Sequence, residues 1–253
     1  MNILILGGTT EARVLAGRLN ERGDAAITLS LAGRTARPRA QGVPTRIGGF
    51  GGAEGLARFL RAENIGILID ATHPYADRIS ANAARAAVQT GVPFLALRRA
   101  PWARDRYDNW IDAESVEHAV AALGPTPRRA FIALGRKEIE PFCAAPQHTY
   151  LVRSVDPIDP PLGVPHAVYV TARGPFAAAD DRVLLEHHRI DIVVAKNSGG
   201  EASYGKIAAA RALRLPVVML RRPVLPDVES VDTIEDALAW LNHAVTGAAS
   251  RGV

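Results

Sequence analysis

The chain has a single cysteine, Cys143, among its 253 residues. One thiol cannot close an internal disulfide, and no Cys/His spacing suited to a metal accompanies it, so neither a disulfide framework nor a metal site is expected. Long hydrophobic runs are missing as well. The apolar start Asn2–Leu6 is far shorter than a membrane span or a secretory core and meets glycine at once. The expected setting is therefore cytoplasmic, with no membrane partner. Dense basic runs are also absent: the net charge of +4 and the pI near 9.6 come from scattered residues, many of them arginines at element ends. Nucleic acid is not an expected partner, whereas a small polyanion is. The sequence shows no Ser/His/Asp order, P-loop, metal-binding His pair, paired carboxylates or solenoid-length repeat. A cofactor must then supply the hard chemistry, as it does in hydride transfer.

What is present describes an α/β protein. With 48% hydrophobic and 22% charged residues there is ample material for a core and no bias toward disorder. The length exceeds the usual single-domain range of about 100–150 residues. Short apolar runs alternate with helical periodicity, the pattern of βαβ units in a parallel sheet. Strands are predicted at 3–6, Ala26–Leu31, 43–47, Ile65–Asp70 and 92–97. Helices follow from Ala12, Leu15, Ala16 and Leu19, from Ala53, Leu56, Ala57 and Leu60, and over 75–90. Residues 98–109 show neither period and read as an interdomain connection. Beyond Trp110 the alternation resumes, with strands near 130–134, 149–152, 167–170, 190–195 and Pro216–Leu220 and a last helix carrying Ile234, Ala237, Leu238 and Leu241. The Pro-rich stretch 156–165 reads as a long loop. The expectation is two Rossmann-like domains, 1–98 and 99–253, each a mainly parallel sheet flanked by helices, with a ligand cleft between them.

Several motifs fall at strand ends. Gly7-Gly8-Thr9-Thr10-Glu11 lies between the first strand and first helix, where a dinucleotide fold places its phosphate turn. It is not the usual G-x-G-x-x-G, and a plain strand-to-helix turn with Thr10 as N-cap is the other reading. The second strand ends Ser30-Leu31-Ala32-Gly33-Arg34-Thr35 without the acid that reads the ribose hydroxyls of NAD. A bond from Arg34 to a 2′-phosphate is worth about 1.5–3 kcal/mol, about one to two decades of affinity. NADPH is thus favoured over NADH, against an Arg34 that is merely solvated. The run Asp70-Ala71-Thr72-His73-Pro74-Tyr75-Ala76 follows another strand. Thr72 can donate to a ribose or phosphate, and His73 and Tyr75 can bind a carboxylate or relay a proton, or else cap and pack the next helix. In the second half, Lys196-Asn197-Ser198-Gly199-Gly200-Glu201 repeats the strand, glycine turn, helix arrangement. Gly135-Arg136-Lys137, Arg173-Gly174-Pro175-Phe176 and Arg221-Arg222-Pro223 also follow strands, and their shared placement points to a polyanion-binding rim.

Taken in order along the whole chain, Gly7-Gly8-Thr9-Thr10-Glu11-Ala12, the 70–76 run, Arg173-Gly174-Pro175-Phe176 and Lys196-Asn197-Ser198-Gly199-Gly200 resemble the precorrin-6A reductase family. Lys206, Ala209-Ala210-Arg211 and Arg221-Arg222-Pro223 are similar too. The resemblance implies NADPH-dependent reduction of one double bond in the precorrin-6A macrocycle to precorrin-6B, in cobalamin biosynthesis, without metal or flavin. It implies cofactor contacts from Gly7, Gly8, Thr9, Thr10, Glu11, Arg34, Thr35, Gly48, Gly49, Phe50 and Thr72. The substrate's acetate and propionate groups would meet Arg136, Lys137, Arg153, Arg173, Lys196, Asn197, Ser198, Gly199 and Gly200. Tyr75, His73 and Ser198 are the candidate proton donors. Partners are the tetrapyrrole and, as further candidates, neighbouring pathway enzymes. The alternatives are a cobalt-precorrin-6A reductase of the anaerobic route, a non-catalytic NADP(H)-sensing protein, and a nucleotide-sugar enzyme built from two α/β domains.

Overall fold

The computed structural model describes residues 1–33 and 40–249. The chain divides into two units, 1–100 together with 223–253, and 101–222. In chain order the first unit begins with β1 (Asn2–Leu6), α1 (Thr10–Arg22), β2 (Ala26–Leu31), β3 (Thr45–Ile47), α2 (Gly52–Ala62), β4 (Ile65–Asp70), α3 (Asp77–Thr90) and β5 (Phe94–Leu97). The second unit comprises β6 (Asn109–Ala113), α4 (Val116–Ala122), β7 (Arg129–Ala133), β8 (Thr149–Ser154), β9 (Ala167–Thr171), α5 (Ala178–His187), β10 (Ile192–Lys196), α6 (Gly205–Ala212) and β11 (Pro216–Leu220). β12 (Ser230–Val231) and α7 (Ile234–Ala249) close the chain and return to the first unit.

Every strand of the first sheet pairs in parallel, in the order β12-β5-β4-β1-β2-β3. Read from the β3 edge this is the 3-2-1-4-5-6 order of dinucleotide-binding folds. Because strand side chains alternate, Ile3 and Ile5 pack toward α1 and α7, and Leu4 and Leu6 toward α2 and α3. Ala12, Leu15, Ala16 and Leu19 are the buried stripe of α1, as their spacing predicts. That helix is capped by Thr9, whose hydroxyl accepts the Ala12 N–H at 3.1 Å, and not by Thr10; Gly23 ends it in the left-handed conformation. α3 begins at Asp77 instead of Tyr75, because a turn from His73 to Ala76, closed by a 2.7 Å backbone bond, precedes it.

The second sheet has the order β6-β11-β10-β7-β8-β9, again all parallel. Phe131, Leu151, Val193 and Met219 pack with Leu185 of α5 and Ile207 of α6, and α4 lies along β6 and β11. The Pro-rich segment 156–165 does connect β8 and β9 as a loop, with Leu162 buried and its N–H bonded to the Tyr169 hydroxyl at 2.7 Å.

The expected second domain, 99–253, needs a correction at its end. Residues 223–253 belong with 1–100 because β12 adds to the edge of the first sheet, pairing Ser230 with Ala96 and Val231 with Leu97. The apolar stripe of α7, with Ala237 and Leu241 fully buried, completes the core beside α1. Hydrophobic periodicity shows that such a helix must pack, but not on which sheet.

His148 is fully buried among these elements, with its Nδ1 accepting the Arg128 N–H at 3.2 Å and its ring against the Tyr150 ring. Burial holds its pKa below 6.5, and burial, aided by His187 and Arg129, does the same at His188. The unfolded chain therefore takes up protons first as pH falls through about 6.5, so this stability is whole above that pH and erodes below it. His148→Asn keeps an acceptor for Arg128, and its melting temperature should fall less steeply than wild type between about pH 6.5 and 5. Parallel profiles in calorimetry would remove His148 from the account.

Candidate functional site

Parallel pairing puts all carboxyl strand ends of each sheet on one edge, and the edge opens where neighbouring strands send their chains to opposite sides. In the first unit that point lies between β1 and β4. Gly7 N–H donates to Ser30 O, Ala71 N–H to Leu6 O, and Thr9 Oγ1 to Ala71 O at 2.8 Å, so the glycine turn is tied to both neighbours. A Cβ on Gly7 would come within 2.7 Å of Leu29 Cδ1, while Gly8 has φ +113° and open space above it. Thr9 takes only the Ala12 N–H, and the N–H groups of Thr10 and Glu11 have no hydrogen bond among the described residues. A backbone stripped of side chains beside two unbonded helix N–H groups fits a pyrophosphate. Thr9 contributes by holding the turn, since its hydroxyl is engaged on both sides. The Glu11 carboxylate pairs with Arg99 at 2.8 Å.

The 70–76 run is built around Asp70, which is buried and accepts both the Thr72 N–H at 3.1 Å and the Thr72 hydroxyl at 2.7 Å. The Thr72 proton thus points at Asp70. His73 Nδ1 accepts the Tyr75 N–H at 3.3 Å, and the two rings lie 5.6 Å apart. An accepting Nδ1 places the proton of neutral imidazole on Nε2.

Arg34 and Thr35 lie outside the described residues. A cation that sequence reading missed stands beside the end of β2: Arg46, paired with Ser30 across β2 and β3. It donates to Ser30 Oγ at 3.1 Å, Gly48 O at 2.8 Å and Gly49 O at 3.0 Å, and its guanidinium stacks 3.8 Å from the Phe50 ring centre. Burial lowers its pKa from the ordinary arginine value. Arg46 therefore shapes the loop of Gly48, Gly49 and Phe50. Gly55 is required there, as a Cβ would fall 1.7 Å from Phe50 O. A lone arginine in a three-residue strand carried no pattern to mark it.

In the second unit the edge opens between β7 and β10. Lys196 forms an ion pair with Glu138, whose other oxygen accepts the Gly135 N–H at 2.8 Å. Asn197 clamps Trp102 in both directions, accepting its N–H at 2.7 Å and donating to its carbonyl at 3.1 Å. The Trp102 indole N–H reaches Gly200 O at 2.9 Å, and Arg222 donates to Asn197 O at 2.8 Å. Gly199 and Gly200 have φ near +70°, which lets the chain turn tightly beneath that indole. Ser198 is buried in the same turn. Arg136 and Lys137 are exposed after β7, and Arg173 pairs with Asp156 at 3.3 Å after β9. His73 and Tyr75 belong to the first unit and Ser198 to the second.

Residues 101–108, read from sequence as linker, are part of the second unit. Asp108 binds Arg211 of α6 at 2.8 and 3.0 Å, and Arg211 reaches the Tyr204 hydroxyl at 2.6 Å. Burial alone would raise the Asp108 carboxyl, but these bonds hold it below its usual range and hold Arg211 above its own. Lys206, also buried, donates to Ser203 O and lies 5.0 Å from the Trp102 ring.

Arg153 departs from expectation. It is not a cation at the rim: only 6% of its side chain is exposed, and it is bound through both terminal nitrogens to Asp181 while stacked 3.8 Å from the Phe176 ring. Asp181→Ala leaves that guanidinium buried without its counter-charge, so urea denaturation should show a loss of about 3–5 kcal/mol, whereas replacing both partners by apolar residues should recover most of it. A single-variant loss under about 1 kcal/mol would mean that Arg153 reaches water instead.

Among the described residues no cluster of His, Cys, Asp and Glu could hold a metal ion, and no helix is long and apolar enough to cross a membrane. Residues 2–242 match the family described as Precorrin-6x reductase CbiJ/CobK. The chain is 57% identical over 243 residues to a Sinorhizobium sp protein named precorrin-6A reductase, covering 95% of this chain and 92% of that one. A Priestia megaterium protein named cobalt-precorrin-6A reductase is 28% identical over 247 residues, covering 93% of this chain and 96% of that one. The solved structure of a CobK precorrin-6A reductase is similar with a TM-score of 0.93 and 47% identity, over 96% of this chain and 97% of that one. With the match spanning both units, the chain belongs to the precorrin-6x reductase family.

Proposed function

We infer that the protein reduces one double bond of the precorrin-6A macrocycle to give precorrin-6B, with NADPH as the reductant and the metal-free ring as substrate. The observation that carries the cofactor assignment is the glycine turn between β1 and β4, where Gly8 lies open beside the N–H groups of Thr10 and Glu11, which have no hydrogen bond among the described residues. The family and the relative that is 57% identical support the substrate. NADPH, when bound, would supply the hydride for one carbon, with a proton going to the neighbouring carbon and NADP+ as the other product.

The protein's own groups then bind, orient and protonate. The 7–11 turn would hold the pyrophosphate and Arg34 would read the 2′-phosphate, while Arg46 keeps the 48–50 loop in shape through Gly48 and Gly49. In the second unit Arg136, Lys137, Arg173 and Lys196 meet the substrate's carboxylates, while Asn197 and the glycines after it set the turn. His73, Tyr75 and Ser198 are the candidate proton donors. For His73 the donating atom would be Nε2, since Nδ1 accepts from Tyr75. Orientation of the two reactants can account for about 7–11 kcal/mol of the barrier.

The deciding experiment follows NADPH absorbance on addition of precorrin-6A, with NADH and the cobalt-containing ring as comparisons. Consumption matched one-to-one with precorrin-6A and slower turnover of both alternatives is expected. No consumption with the metal-free ring would end the proposal. Arg34→Ala should raise the KM for NADPH by about one to two decades and leave that for NADH unchanged. An equal effect on both cofactors would remove Arg34 from phosphate recognition.

A further inference from the structure

At the opening between β7 and β10, a carboxylate of the protein already sits between two anion donors. The Gly135 N–H follows β7 and the Lys196 ammonium ends β10, and both donate to Glu138, one to each oxygen. The two residues follow adjacent parallel strands, Ala133 pairing with Ala195, so the sheet and not Glu138 brings their backbones side by side. Glu138 itself sits on a three-residue 3-10 turn. Its side chain is 30% exposed against 16% for Lys196, so the acid can swing toward water while the lysine stays. The neighbouring Arg136 and Lys137 are exposed and add positive potential at the mouth.

We propose that Gly135 N–H and Lys196 form a carboxylate subsite, which Glu138 fills until one carboxylate of the substrate displaces it. The inference rests on the reading of the substrate as a polycarboxylate macrocycle and assigns one of its acid groups a position. Exchange of one carboxylate for another never leaves the Lys196 ammonium or the Gly135 N–H without an acceptor, so it avoids the cost of a stranded polar group. A ligand lacking an acid must break the ion pair and offers nothing in return. Glu138 thereby selects for carboxylates.

Glu138→Gln keeps an oxygen for the Gly135 N–H but removes the charge that competes for Lys196. In titrations of the full chain followed by tryptophan fluorescence, with uroporphyrin and with precorrin-6A, this variant should bind both ligands about two- to fivefold more tightly, the factor open to a partly exposed ion pair. The gain should shrink in high salt and vanish when Lys196→Ala is added. Should the Gln variant melt below wild type, Glu138→Ala, which also removes the competing charge, provides the same comparison. Unchanged or weaker binding in a variant that melts like wild type would overturn the proposal. Absence of NADPH oxidation with precorrin-6A would count against the reaction alone, because the uroporphyrin titration reads the subsite without it.

Discussion

Parallel strands must all be entered from one edge of their sheet and left from the other, and the described turns of the candidate site inherit their place from that constraint. The glycine turns at 7–8 and 199–200 follow β1 and β10, the Asp70-Thr72 turn follows β4, and Gly135 and Glu138 follow β7. In each unit the edge opens where the order reverses, between β1 and β4 and between β7 and β10. Two nonadjacent stretches of chain meet there because the sheet's register brings them together: Leu6 lies beside Asp70, and Ala133 beside Ala195. Helix starts at the same edges add positive dipole ends, so the architecture favours anions before any side-chain charge is counted.

Many polar groups at these edges hold the backbone in shape. Thr9 ties β1 to β4, Asp70 fixes Thr72, Arg46 gathers Gly48 and Gly49, and Asn197 locks Trp102. Each such bond contributes only about 1 kcal/mol net. Within each unit they hold the strand-end turns in shape, so that little ordering remains to be done when a ligand binds. Arg153 shows the opposite fate for a polar residue in such a protein: a cation at the end of β8 can serve entirely in packing, matched to Asp181 and covered by Phe176.

The return of residues 223–253 to the first unit makes the chain connect the two units twice, at 100/101 and at 222/223. β12 is only two residues long, yet backbone bonds from Ala96 to Glu229 and from Arg98 to Val231 seat it on β5. α7 then covers the face that α1 leaves open, burying Ala237 and Leu241. The equivalent edge of the second sheet is filled by β6, which enters from the start of its own unit. Both sheets thus reach six strands through a segment that lies outside the run of the other five.

Local pattern made the α/β alternation, the α1 stripe and both glycine turns legible, because side-chain periodicity and strand-end glycines are properties of neighbouring residues. It also placed Lys196 and Arg173 at strand ends correctly. Long-range pairing was not legible. The partnership of Glu138 with Lys196 spans 58 residues and that of Trp102 with Asn197 spans 95, and nothing in either segment names the other. The amino-acid sequence by itself determined which segments are strands or helices and which of their ends carry donors and cations. Only the tertiary structure decided that Thr72 donates to Asp70, that Arg153 is buried and that the last helix belongs to the first sheet, because each of these depends on which distant group reaches the residue before water does.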